Sequence, residues 1–126
     1  MAFSLVGCRK SQMLRICLEN AYEAEITVES NFYNGSIQSG KTEMVATAVA
    51  STSGIAPGMD IQENWQNCVI PKGDVRTVTV SIGDKVLRQW TYGDSQEDTP
   101  YIISNWKHDS SSSAGNTQYT ITYIFK

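Results

Sequence analysis

The sequence predicts an all-β fold, a single-domain antiparallel β-sandwich of about eight short strands over residues 1–126. Three observations predict it. Apolar and polar residues alternate through most of the chain, the period a strand needs when one face is buried and the other wet. Gly, Pro, Asn and Ser punctuate the chain at intervals of about 8 to 12 residues, the spacing of turns in a sandwich or barrel. The mass of 13.9 kDa is that of one domain with one core.

The elements follow in order. Leu14, Ile16 and Leu18 fall on one strand face, with Met13, Arg15 and Cys17 on the other. Ile26, Val28 and Phe32 continue the alternation, and Asn34-Gly35 reads as a turn. Thr42 to Ala50 is ambiguous: its Ala, Met and Glu favour helix, while Val45, Thr47 and Val49 alternate, so it reads as a strand. Ser53-Gly54, Pro57-Gly58 and Pro71-Lys72-Gly73 are further turn signals, and Met59, Ile61, Trp65 and Val69 read as the next strand-like apolar run. The runs 75–82 and 85–92 form a hairpin around Gly83-Asp84, where Gly takes a positive φ cheaply. Val86, Trp90 and Tyr92 share a face there, and Ile102, Ser104 and Trp106 follow the polar loop 93–100 as another strand. The serine tract 110–115 reads as a flexible hairpin tip. Tyr119, Ile121, Tyr123 and Phe125 line the last strand, rich in residues that pack well on a pleated surface.

Charge and cysteine count narrow the function. A net charge of -3 and a pI near 5.0 argue against nucleic acid, whose partners carry clustered Lys and Arg. No apolar run approaches the roughly 18 to 20 residues that span a bilayer, so the reading is a soluble chain or one lying on a membrane surface. Cys8, Cys17 and Cys68 are an odd number and cannot form a closed disulfide framework, and whether any is paired or modified stays open. The first residues carry no basic leader, so no signal peptide is expected. Leu5-Val6-Gly7-Cys8 has the form of a lipid-attachment box without the apolar stretch that should precede it.

Gly35-Ser36-Ile37-Gln38-Ser39-Gly40-Lys41-Thr42 fits the Walker A expression, in which backbone N–H groups wrap phosphates, Lys41 would reach the terminal phosphates and Thr42 would hold magnesium. Its context is wrong for a nucleotide fold. The preceding segment 29–34 is polar and alternating rather than a buried parallel strand, so a Gly-rich turn between two strands is the expectation, with nucleotide binding a remote alternative. The single histidine, His108, lies beside the serine tract, and the cysteines lack metal-site spacing. No catalytic residue, metal or cofactor is therefore expected. Asp94, Glu97 and Asp98, with Gln96, offer oxygen ligands for calcium but depart from the calcium-loop expression and read as a solvated loop.

The aromatics say more. Trp90, Tyr92, Tyr101 and Trp106 gather around one polar loop, with Trp65 as a further member. Trp and Tyr join an apolar body to a polar tip, which suits sugar stacking or a membrane headgroup layer, so these five are the candidate ligand-binding residues. The alternation of Trp90 and Trp106 fits core positions equally well.

An opening Met1-Ala2, an early strand ending in Leu18-Glu19-Asn20, a turn and strand over 55–61, the hairpin through Gly83-Asp84, the acidic and aromatic loop from Tyr92 to Trp106 and the closing strand 118–125 come in a familiar order. In this the chain resembles the aegerolysin family and actinoporin-like sandwiches, including the small component of binary insecticidal proteins. Gly73-Asp74-Val75-Arg76 stands where that family has a Gly-Thr-Glu-Gly-type stretch. The resemblance implies a β-sandwich that recognises a sphingolipid- or sterol-type membrane lipid. It further implies release without a signal peptide, action at a target membrane, and often a larger pore-forming partner. A lectin-like module binding a surface glycan is the alternative. The lipid or sugar, the partner and the oligomeric state stay open.

Overall fold

The computed structural model describes residues 9–53 and 58–126. The expectations for residues 1–8, Cys8 among them, and for the stretch through Gly54 and Pro57 lie outside the described residues. Eight strands are described: β1 (Arg9–Asn20), β2 (Ile26–Ser30), β3 (Asn34–Ile37), β4 (Thr42–Ser53), β5 (Thr77–Ile82), β6 (Lys85–Thr91), β7 (Lys107–Ser113) and β8 (Asn116–Phe125). One helix, α1 (Ile61–Val69), and a 3-10 turn (Ile103–Asn105) complete them. The strands make two four-stranded sheets, ordered β4-β1-β8-β7 and β3-β2-β5-β6, so the domain is an all-β sandwich.

β1 shows why the chain folds this way. Leu14, Ile16 and Leu18 point inward and are buried, directly opposite Tyr119, Ile121 and Tyr123 of β8. From the other sheet Ile26, Val28, Ile37, Val78, Val80 and Trp90 close the same core. Each fully buried aliphatic side chain contributes roughly 1.5–3 kcal/mol. The pairing of β1 with β8 is parallel, whereas all the other described pairs are antiparallel. That departs from the purely antiparallel expectation. The chain crosses to the second sheet between these strands, and a crossover of this length is what lets β8 return alongside β1 in the same direction.

The hairpin of β5 and β6 turns at Gly83, whose φ is +57°, as the sequence predicts. It carries a bulge, because Val80 faces Arg88 while Ser81 faces Val86, leaving Leu87 as the extra residue. A one-residue insertion switches faces, so Val86 does not share the face of Trp90 as expected and is exposed. Thr42 to Ala50 is indeed strand, as β4.

Four segments differ from the expectation. The run through Ile61, Trp65 and Val69 is helix: Asp60 caps it by accepting from the Glu63 N–H at 2.9 Å, and the three apolar residues, four apart, share one helical face. The strand expected through Ile102, Ser104 and Trp106 is instead a 3-10 turn over Ile103–Asn105, flanked by extended Ile102 and Trp106. The serine tract is itself strand β7, and the hairpin tip is Ala114-Gly115, with φ of 52° and 83°. Asn34-Gly35 likewise sits in β3; the chain bends just before it.

Candidate functional site

Helix α1 packs on the core through Trp65 and Val69, and its last turns bring Trp65, Gln66 and Asn67 beside the segment that follows β6. Between them runs a groove of about 500 Å³, lined also by Ile70, Lys72, Tyr92, Tyr101, Ile102 and Ile103. A second hollow of about 430 Å³ adjoins it, sharing Asn67, Ile70 and Lys72 and reaching Asn31, Cys68 and Val75.

The groove wall is pinned from behind. The Tyr101 hydroxyl donates to Asn31 Oδ1 at 2.6 Å, and Asn31 Nδ2 donates to the Val69 carbonyl at 2.9 Å, tying the wall to the β2–β3 bend and the helix end. Burial pushes the Tyr101 phenol up to about 12, with Arg76 opposing and Asp94 adding to the rise. Tyr92 meets Tyr101 edge to face with ring centres 5.4 Å apart, its N–H donates to the Arg76 carbonyl at 2.8 Å, and the Arg76 guanidinium lies 5.0 Å from its ring centre.

Of the five aromatics expected to form a binding rim, Tyr92 alone is exposed, at 37%. Trp65, Trp90, Tyr101 and Trp106 are buried, none above 6% exposed, so the expected exposed rim is not formed. The reason lies in what they pack against. Trp106 meets Trp65 edge to face, packs at a tilt on Phe32 and Tyr123, and donates its indole N–H to the Pro100 carbonyl at 2.7 Å. Trp90 packs on Tyr123 and Phe125 and donates to Asp98 at 3.1 Å. The structure brings Trp65, Tyr92 and Tyr101 to one groove; Trp106 borders a different hollow with Asn105, Lys107 and Lys126. Trp65 Nε1 has no hydrogen-bond partner among the described residues.

Sequence reasoning missed Val75 and Ile102, both exposed beside the two hollows. A signal was present at Ile102-Ile103, because two successive apolar residues cannot both face inward from one extended segment.

The Walker-like segment is strand, turn and strand. Gly35 to Ile37 belong to β3 and Thr42 opens β4, with no helix between. Two of the N–H groups that would cradle a phosphate are used inside the protein: Gly40 donates to the Asn20 carbonyl at 2.8 Å and Lys41 to the Gln38 carbonyl at 3.0 Å. The acidic loop is similarly occupied. Asp94 accepts from the Thr91 N–H at 2.7 Å, which holds its carboxyl below the usual range. Asp98 is held low first by the Trp90 indole and then by Arg88, 2.6 Å away. The His108 ring nitrogen sits 3.4 Å from the Ile103 carbonyl, at the surface. Among the described residues no three His, Cys, Asp or Glu side chains gather as metal ligands, and no helix is long and apolar enough to cross a membrane.

No protein-family model, no curated protein and no solved structure matches the chain.

Proposed function

We propose that the protein is a membrane-lipid-binding module that meets the lipid surface through the groove between α1 and Tyr92. The observation that carries this reading is the placement of Val75, Tyr92 and Ile102, three exposed apolar side chains around two adjoining hollows. Exposed apolar groups gathered at a concave site favour contact with apolar matter, at about 25 cal/mol per Å² removed from water. A net charge of -3 gives little attraction to anionic headgroups, so affinity rests on these contacts, with Lys72 and Gln66 beside them to hold a polar headgroup. In the cytolytic role, this docking step would precede the action of a larger pore-forming partner. A glycan is the second reading, favoured by the Gln66 and Asn67 amides lining the same groove as Tyr92, the pairing of hydrogen-bonding groups with an aromatic ring that suits a sugar.

Co-sedimentation with phosphatidylcholine vesicles, with and without sphingomyelin and sterol, tests the reading beside a glycan array. The chain is expected to sediment with at least one vesicle type, and Val75→Ser with Ile102→Ser to weaken that roughly tenfold, about 1.4 kcal/mol. Glycan binding without vesicle binding moves the conclusion to the second reading. Vesicle binding unchanged in the double variant, or no binding to either, overturns it.

A further inference from the structure

An open sheet edge presents a row of backbone N–H and C=O groups that another strand can pair with, and proteins blunt such edges with charge, shortness or bulges. Three of the four edges described here are blunted. β3 has only four residues, β6 carries Lys85 and Arg88 with the bulge at Leu87, and β7 begins Lys107-His108-Asp109. β4 is the exception. It is twelve residues long, ends its sheet, and has a single charge, Glu43, near its start, so that Met44 to Ser53 are uncharged. Its own bulge at Val45 lies close to that charged end and leaves 46–53 in regular register with β1.

The face beside this edge is apolar as well. Val49 is 67% exposed and is the cross-strand partner of Met13, also exposed, while Met44, the partner of Cys17, is exposed on the same outward side. Three of the large exposed apolar side chains among the described residues thus lie on two adjacent strands at the one described edge that carries no guard.

We propose that β4 is an association surface for a second copy of this chain, the two β4 strands pairing antiparallel about a two-fold axis to join two four-stranded sheets into one of eight. The charge pattern selects this occupant. Any register of 46–53 against itself puts no charge opposite a charge, and sends the two Glu43 carboxylates to opposite ends of the ladder. A two-fold pairing also closes on itself, since both β4 edges are used and no further copy can add through the same contact. Pairing of β4 with β7 of another copy would set an uncharged strand against Lys107-His108-Asp109 and leave a free β4 at one end and a free β7 at the other, so that copies would add without limit. This surface is separate from the groove of the proposed lipid site and does not rest on that reading.

Sedimentation velocity of the wild-type chain from about 1 to 200 µM tests the proposal, with amide exchange followed over the same concentrations. The expected result is a species of twice the 13.9 kDa chain mass at the upper end, with slowed exchange confined to 46–53. Val49→Lys, at an exposed position, is expected to weaken association at least about tenfold by bringing like charges together, while Val86→Lys on β6 leaves it unchanged. Thr47→Lys repeats the test from an exposed neighbour should Val49→Lys lose the native circular-dichroism spectrum. A wild-type chain that stays at 13.9 kDa throughout overturns the proposal. So does a dimer indifferent to the β4 lysines, and so does growth beyond a dimer.

Discussion

The indole N–H of Trp90 donates to Oδ1 of Asp98 at 3.1 Å, and the same carboxylate receives Arg88 at 2.6 Å while that guanidinium lies 4.6 Å from the indole ring centre. One exposed acid thus satisfies a buried indole and fastens the loop after β6 to its own strand. The ion pair itself is half open to water and contributes about 0–1 kcal/mol. The larger share lies with the indole.

Asp98→Ala is therefore expected to cost about 1–3 kcal/mol, chiefly from leaving the Trp90 N–H unpaired. Asp98→Asn keeps an acceptor in place and is expected to cost less. Urea unfolding followed by tryptophan fluorescence measures both, and equal losses would show that the charge rather than the indole contact dominates.

Stability should fall at both ends of the pH range. Asp94 and Asp98 have folded-state values below 3.8, so the stability they contribute is present above that pH and is lost as pH drops through their lowered values. Tyr101, raised to about 12, and Tyr123, also raised by burial, work in the opposite sense. Their contribution is complete below the ordinary phenol value of 10.0 and is lost above it, at about 1.4 kcal/mol per pH unit for Tyr101 until pH reaches about 12. Melting temperatures across pH check both limbs. A flat alkaline limb, with phenols titrating at their ordinary value in ultraviolet absorbance, would contradict the burial of these two rings.

Asn20 is fully buried at the end of β1, where Nδ2 donates to the Ala24 and Ile37 carbonyls and Oδ1 accepts from the Tyr22 N–H. Asn20→Ala strands three backbone groups and is expected to cost about 2–4 kcal/mol in chemical denaturation. Lys41→Ala, at an exposed position in the adjoining turn, is expected to change stability by no more than about 0.5 kcal/mol. Magnesium-dependent ATP or GTP binding that disappears in this variant would reinstate a phosphate role for the turn.

Trp106→Ala removes the ring that joins α1 to the core and is expected to cost about 3–5 kcal/mol. Tyr92→Ala, at the groove edge, is expected to cost about 1 kcal/mol or less and to act on binding instead. Thermal melts of the two variants separate core from surface; similar losses would place Tyr92 in the core as well.

What was legible in the sequence was what repeats locally. Leu14, Ile16 and Leu18, the Gly83 hairpin and the run from Tyr119 to Phe125 announce themselves because a half-buried strand writes its two faces into the chain. β7 announces nothing. It is exposed at every position and is held by backbone pairing to β8, so its side chains bear no trace of the sheet. In α1, Met59 and Ile61 begin an alternating pattern that conceals the fourfold spacing of Ile61, Trp65 and Val69, although Asp60 and Glu63 stand in the positions of a helix start. That misreading carried into the site. Trp106 is buried beneath a helix that a strand reading does not supply, and so it looks available for a rim. The bulge that exposes Val86 and the parallel return of β8 depend on partners far along the chain, which no local pattern encodes.

That parallel return also decides how the molecule meets force. β1 and β8 run the same way for nine paired positions, from Gln12 opposite Thr117 to Asn20 opposite Phe125. A pull that draws the start of β1 away from the end of β8 slides the two strands along each other. The backbone hydrogen bonds between them then bear the load together, whereas an antiparallel hairpin pulled at its open end releases them one by one, like a zipper. Tension applied at those two points therefore meets a clamp in the middle of the sheet, and the remainder of the sandwich is shielded until it slips.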